Sequence, residues 1–397
     1  MNTQEILILM AGIILLGFIG EYGFRKKRIP DMILLLFIGI LIHYSGVLGS
    51  KTISSLEAFV GLFGTIALTL IVFGGVIEVD LNTISSAMKK GIVIALLDVI
   101  FTILVVTPIL YYLIKIQLLI SLLLAAILAE TSATLVIPMV QRVIVREDIV
   151  NLVKIESIMN SVFNIITVLL ILDVIQSNST PLSLASTFFA NISEGLVLGA
   201  VVGFAWVIVV KTADTPHLYM ATVGILFFLW GISQYLNASP ILAIFIFSII
   251  IAGSTRIKYL LNRPGYIDLG KLVEFNQEIQ FFILTFFYVY IGLLINILNF
   301  YSIILALIIT GGIVAARFLE ISLIDVTTKW FGPDRNLMYS FLIRGSTVIV
   351  LIGYIYSLDP PIFFQYSNTI FFTVLLSIAV GWLLYSYFSK KYEVAKS

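Results

Sequence analysis

The chain has 397 residues, 60% of them hydrophobic and only 11% charged, whereas soluble domains carry roughly 25% charged residues. A mean hydropathy of +1.12 marks an integral membrane protein, and a net charge of +1 excludes the basic field that nucleic-acid binding needs. The absence of cysteine excludes disulfides, thiol catalysis and thiolate metal sites together.

About 20 apolar residues cross a bilayer. On that rule the chain reads as an all-α polytopic protein of thirteen spans, at about 4–24, 30–49, 56–78, 91–114, 117–141, 149–175, 183–210, 217–236, 239–255, 274–298, 300–325, 337–357 and 362–388. No soluble domain fits between them, so residues 1–397 form a single domain. The first segment has an acidic residue before it, basic residues after it and no small-residue cleavage site, which fits a retained span rather than a signal peptide. Lysine and arginine in short loops set orientation. With the N-terminus outside, the inner loops and tail carry Arg25, Lys26, Lys27, Arg28, Lys89, Lys90, Arg142, Arg146, Lys211, Arg256, Lys258, Arg263, Lys271, Lys329, Arg335, Lys390, Lys391 and Lys396; the outer loops hold only Lys51 and Lys115. A multi-pass protein with a cytoplasmic C-terminus follows.

Three basic residues remain inside spans: Lys154, Arg317 and Arg344. Lys154 is near a span end and reads as snorkelling to the interface. Arg317 and Arg344 are deep, where a guanidinium is costly unless it faces the protein interior and an acid.

Span five reads "ILAETSATLVIP", placing Glu130 near mid-span, ahead of Thr131, Ser132 and Thr134, with Pro138 closing the run. Small hydroxylated residues allow a helix to unwind, and unwound carbonyls plus hydroxyls are hard oxygen ligands for a small alkali cation. Span six returns outward as "KIESIMNSVFNIIT", in which Glu156, Ser157, Asn160, Ser161, Asn164 and Thr167 share one helical face. Ser, Thr and Asn on such a face serve equally well as helix-helix glue. Two carboxylates on consecutive antiparallel spans read as functional.

Span twelve, "LIRGSTVIVLIGYI", echoes span five: a charge, then small polar residues, then a β-branched run. An offset of seven spans reverses direction, the signature of inverted repeats whose broken helices meet at the midplane. The repeat halves are about 1–175 and 217–388, linked by the span at about 183–210. Glu130 and Arg344 would bring opposite charges to the crossing.

Taken in order, these segments resemble the monovalent cation:proton antiporter superfamily, specifically its NhaP-like sodium/proton exchangers, over essentially the whole chain. "VFGGVIEVDL" at 72–81 is similar to the family's third-span stretch and "IESIMNS" at 155–161 to its sixth-span Glu-Ser-Asn-Asp motif. "FFYVYIGLLI" at 286–295 is placed like its tenth span, "AARFLEI" at 315–321 like its eleventh-span arginine, and "IRGSTVI" at 343–349 like its twelfth-span Arg-Gly motif. The resemblance implies that Glu156 pairs with Arg317, that Ser157 offers an oxygen to the cation, and that Asn160 organises the crossing. Two positions depart from the pattern. Ser161 stands where the family has the sixth-span ion-binding aspartate, and Thr131 replaces the aspartate of the fifth-span Thr-Asp-Pro stretch; an acid appears one position earlier, as Glu130.

These readings lead to exchange of a monovalent cation, with Na⁺ favoured and K⁺ and Li⁺ left open, for H⁺ by alternating access in the cell membrane. A carboxylate in a low-dielectric cavity brings proton release within reach of physiological pH. Arg317 neutralises Glu156, leaving Glu130 as the titrating ligand in a cation site of Glu130, Glu156 and Ser157, lined by Thr131, Ser132, Asn160 and Ser161. Glu78 is the candidate partner for Arg344. No cofactor is implied, and the family's tendency to dimerise implies a homodimer. The competing readings are a channel, an inactive or sensor homologue, and an intramembrane enzyme. The last has little chemistry to draw on, since the only histidines, His43 and His217, lie near span ends without an H-E-x-x-H pair.

Overall fold

The computed structural model describes residues 3–27, 31–46, 50–79, 86–176, 181–212, 217–254, 268–295 and 299–392. The basic loop residues Arg28, Arg256, Lys258, Arg263 and Lys396 lie outside the described residues.

Among the described residues fifteen α-helices follow in chain order: α1 (Thr3–Lys27), α2 (Asp31–Ser45), α3 (Ser50–Ile77), α4 (Ser86–Pro108), α5 (Leu118–Ile127), α6 (Ala133–Val140), α7 (Glu147–Gln176), α8 (Pro181–Thr212), α9 (Leu218–Tyr235), α10 (Pro240–Ala252), α11 (Leu269–Leu294), α12 (Phe300–Thr328), α13 (Arg335–Met338), α14 (Ser346–Leu358) and α15 (Pro360–Phe388). Eight of them are long and apolar enough to cross a membrane: α3, α4, α7, α8, α9, α11, α12 and α15. Shorter apolar stretches occur in α1, α2, α5, α10 and α14. Each of the thirteen segments expected from hydropathy overlaps one of these helices, of which eight have the length to cross a membrane.

Helix α4 runs into a π-helical turn, Ile109–Leu113, directly after Pro108. Proline inside a helix removes a backbone donor, and such a bulge absorbs the mismatch. Helices α2 and α11 pack together closely at Gly39 and Gly292, where a Cβ on either would run into the other's backbone. Around the centre, α4 packs on α7 and α12, α5 and α6 both pack on α7, and α14 packs on α3 and α15.

Span five is broken, as the hydroxyl run predicts. The break is residues 128–132, between α5 and α6, and Pro138 lies inside α6 rather than at its edge. Residues 339–345 form a second non-helical stretch, between α13 and α14. At membrane depth every backbone polar group needs a protein partner. The two stretches supply partners to each other: Ser132 N–H donates to Ile343 O at 2.8 Å, and Gly345 N–H donates to the Glu130 carboxylate at 2.8 Å. Thr131 N–H donates to Asn160 Oδ1 at 2.6 Å, and Arg344 N–H to Ser377 Oγ at 3.0 Å.

Candidate functional site

The two breaks, with α4, α7 and α12, enclose a cluster of ionisable side chains. Asp98, Glu130, Glu156, Glu320, Arg317 and Arg344 are each 1% exposed or less.

Glu130 projects from the first break onto the start of α14. Its Oε2 accepts the Gly345 N–H and its Oε1 accepts the Ser161 hydroxyl at 3.2 Å. A helix N-terminus favours an anion, because its first N–H groups have no partner within the helix. Among the described residues the Glu130 carboxylate forms no ion pair. Arg344 meets Glu130 at the main chain instead, its Nη1 donating to the Glu130 carbonyl at 2.5 Å and to Thr131 Oγ1 at 3.1 Å.

Glu156 and Arg317 form the pair that the motifs imply, Oε1 to Nη1 at 2.6 Å. Asn160 ties α7 to its neighbours: its Oδ1 accepts the Thr131 N–H, and its Nδ2 donates to Asp98 Oδ2 at 2.9 Å. The Ser157 hydroxyl donates back to Val153 O at 2.9 Å and Thr167 to Phe163 O at 2.8 Å, each within α7. Asn164 donates to Ala126 O, clamping α7 to the end of α5, with its Oδ1 left unpartnered. Ser132 Oγ shares a hydrogen bond with Thr134 at 3.1 Å. Lys154 is exposed, in keeping with a snorkelling side chain.

The partner of Arg344 is not Glu78. Glu78 is exposed just past the end of α3 and accepts from Gln277 at 3.0 Å. Arg344 is held against α4, so the carboxylate it meets is Asp98, at 3.6 Å, with Thr102 Oγ1 at 3.2 Å from its Nη2. Asp98 is the residue sequence reasoning missed. It also accepts the Thr131 hydroxyl at 2.8 Å and lies 3.8 Å from Arg317, so it joins α4 to both breaks and to α12. Glu320 was missed too, one turn after Arg317 and 3.1 Å from it. The signal for both was present: an acid inside a span is as unusual at Asp98 and Glu320 as at Glu130.

Chemically, the cluster offers hard oxygen donors around a carboxylate that is hydrogen-bonded only by neutral groups. Such donors suit an alkali cation or a proton.

The sodium/hydrogen exchanger transmembrane family model matches residues 10–386. A probable Na⁺/H⁺ antiporter 2 of Methanocaldococcus jannaschii is 24% identical over 311 residues, covering 74% of this chain and 70% of that protein. The structure of the sodium proton antiporter MjNhaP1 from the same organism at pH 8 superposes with a TM-score of 0.79 at 20% identity, over 98% of this chain and 100% of that one. An electron-microscopy structure of MjNhaP1 gives 0.74 at 20% identity, over 98% of each chain. With the family model spanning nearly the whole sequence, the chain belongs to the sodium/hydrogen exchanger family of membrane transporters and is not an enzyme.

Proposed function

We propose that this protein exchanges a monovalent cation, Na⁺ in preference to K⁺ or Li⁺, for H⁺ by alternating access, with Glu130 as the group that holds either ion. The observation that carries this reading is the contact between Glu130 and Ser161. Ser161 occupies the position where the family motif has an acid, and its hydroxyl donates to the Glu130 carboxylate across the α5–α7 interface. The carboxylate has moved to the neighbouring helix and stays beside the same point in space. Glu156 is engaged by Arg317, which leaves Glu130 free to exchange its proton. Ser157, Thr131 and Ser132 lend oxygens, and Asn160 braces the break.

The mutual packing of residues 128–132 and 339–345 supports paired broken helices from two inverted repeats, about 1–175 and 217–388, joined by α8. The distribution of basic residues supports thirteen spans in the cell membrane with the N-terminus outside, and the family's habit supports a homodimer. A single exchanging carboxylate makes transport electroneutral, one cation for one proton. In proteoliposomes, Na⁺-driven proton flux is expected to be insensitive to membrane potential and to vanish in Glu130→Gln. Full activity in that variant, or strong voltage dependence in the wild type, rejects the assignment. Repeating the assay with K⁺ and Li⁺ sets the ion preference. Because Ser161 replaces an acid, a sensor without transport is the second reading; Na⁺-dependent thermal stabilisation without flux would identify it.

A further inference from the structure

Arg317 faces more carboxylates than one guanidinium nitrogen holds at close range. Its Nη1 lies 2.6 Å from Glu156 Oε1, 3.1 Å from Glu320 Oε2 and 3.8 Å from Asp98 Oδ1, while its Nε donates to Met338 O at 3.2 Å. Arg317 Nη2, Glu156 Oε2 and Glu320 Oε1 are all buried without a hydrogen-bond partner. The group therefore has spare donors and acceptors in a buried interior, an arrangement that a single fixed pair does not require. We infer that Glu320 is a positioning residue: it is the alternative counter-ion of Arg317, taking over the guanidinium when Glu156 turns its carboxylate towards the transported cation.

The inference rests on the exchange reading above. If Glu156 left Arg317 with no replacement, an uncompensated charge would stay buried, which is strongly unfavourable. Asp98 is less well placed to step in: its Oδ1 is 3.8 Å from Arg317, and the carboxylate is held in place through its Oδ2 by Thr131, Asn160 and Arg344. Glu320 is well placed. It sits on α12 three residues from Arg317, so their contact is internal to one helix and survives any shift of α7 against α12. Glu156, on α7, is the partner that such a shift would release.

Glu320→Gln keeps the shape and removes the charge, so Arg317 holds Glu156 throughout and the cation must compete with it. In proteoliposomes the KM for Na⁺ is expected to rise about tenfold, with the maximal rate within about twofold of wild type, the pattern of lost ground-state binding. In detergent the Na⁺-induced rise in melting temperature should shrink in the same variant. Glu320→Asp keeps the charge but draws it back, and is expected to raise KM by a smaller factor, about threefold; this provides a second test should Glu320→Gln fail to fold. A wild-type KM together with a wild-type Na⁺-induced shift in either variant overturns the inference, as does a lower melting temperature with the shift intact, which is the mark of a purely structural pair. A wild-type protein that shows no Na⁺ response at all sinks the exchange reading along with it, whereas a responsive wild type matched by Glu320→Gln sinks the Glu320 role alone.

Discussion

Gly345→Ala tests whether the two broken segments must touch. A Cβ built at Gly345 lands on the Ser132 side chain and 3.4 Å from Ser132 Cα. Ser132 has little room to yield, because its N–H is bonded to Ile343 O at 2.8 Å and its hydroxyl to Thr134 at 3.1 Å. The segments must therefore separate, and overpacking of this kind costs about 1–3 kcal/mol. Separation also lengthens the bond from Gly345 N–H to the Glu130 carboxylate, and hydrogen bonds to charged groups contribute about 1.5–3 kcal/mol. The variant should lose roughly 3 kcal/mol of stability, read by thermal or denaturant unfolding in detergent, and Na⁺-driven flux should fall with it. Ser132→Gly removes the atoms that the new Cβ would strike. In the double variant about 1–3 kcal/mol should return as a coupling energy. A Gly345→Ala protein within about 0.5 kcal/mol of wild type, or a double variant that recovers nothing, would show that close approach is not what this glycine supplies.

Arg344→Lys should behave as a severe change, because an ammonium lacks the planar fork that reaches the Glu130 carbonyl, Thr131 and Thr102 together; loss of flux with the protein still monodisperse is the expected result. Asp98→Ala strips Arg344 of its ion partner and is expected to destabilise the fold by about 3–5 kcal/mol, measured by unfolding in detergent. At the end of the described residues, Tyr392 donates to Asp334 at 2.8 Å, and Asp334 pairs with Arg146 at 3.0 Å, tying this segment to the loop after α6 and the turn before α13. Burial and the neighbouring Asp334 carboxylate push the Tyr392 phenol above the usual tyrosine range. A raised phenol contributes stability that is complete below the unfolded value of about 10 and is lost as pH climbs towards the folded one. Tyr392→Phe should flatten the fall in melting temperature above about pH 10; an unchanged alkaline slope would refute the role.

Hydropathy located the helices because a bilayer demands an apolar run of fixed length, which is a local property of the sequence. The break at 128–132 was legible for a similar reason: Glu130 followed by small hydroxylated residues interrupts that run. Glu156 with Arg317 came from motif resemblance. What stayed hidden was the network. Asp98 stands alone in an apolar stretch of α4, and nothing within that stretch indicates that it faces Thr131, Asn160 and Arg344. Which acid an arginine meets depends on how helices rotate and cross, and periodicity within a helix leaves that open. The same gap explains the expectation for Glu78, an acid that is exposed and bonded to Gln277 while Arg344 is buried against Asp98.

The cluster's charge balance carries the last step. Four carboxyls and two guanidiniums share an interior where each is 1% exposed or less, so full ionisation would leave two uncompensated negative charges. A buried site does not sustain that, since burying an unpaired ion costs several kcal/mol even after relaxation. The folded protein must therefore hold two further positive charges, as protons or as a cation with a proton. On the exchange reading proposed above, Glu130, which stands outside the ion pairs, is the carboxyl from which a positive charge would leave and return with the least disturbance to the rest. Removing its charge should abolish exchange while sparing the fold. Removing Arg317 takes from Glu156 and Glu320 at once the only short ion-pair partner that each has among the described residues, and deepens the deficit by one, so the fold should fail before transport can be measured.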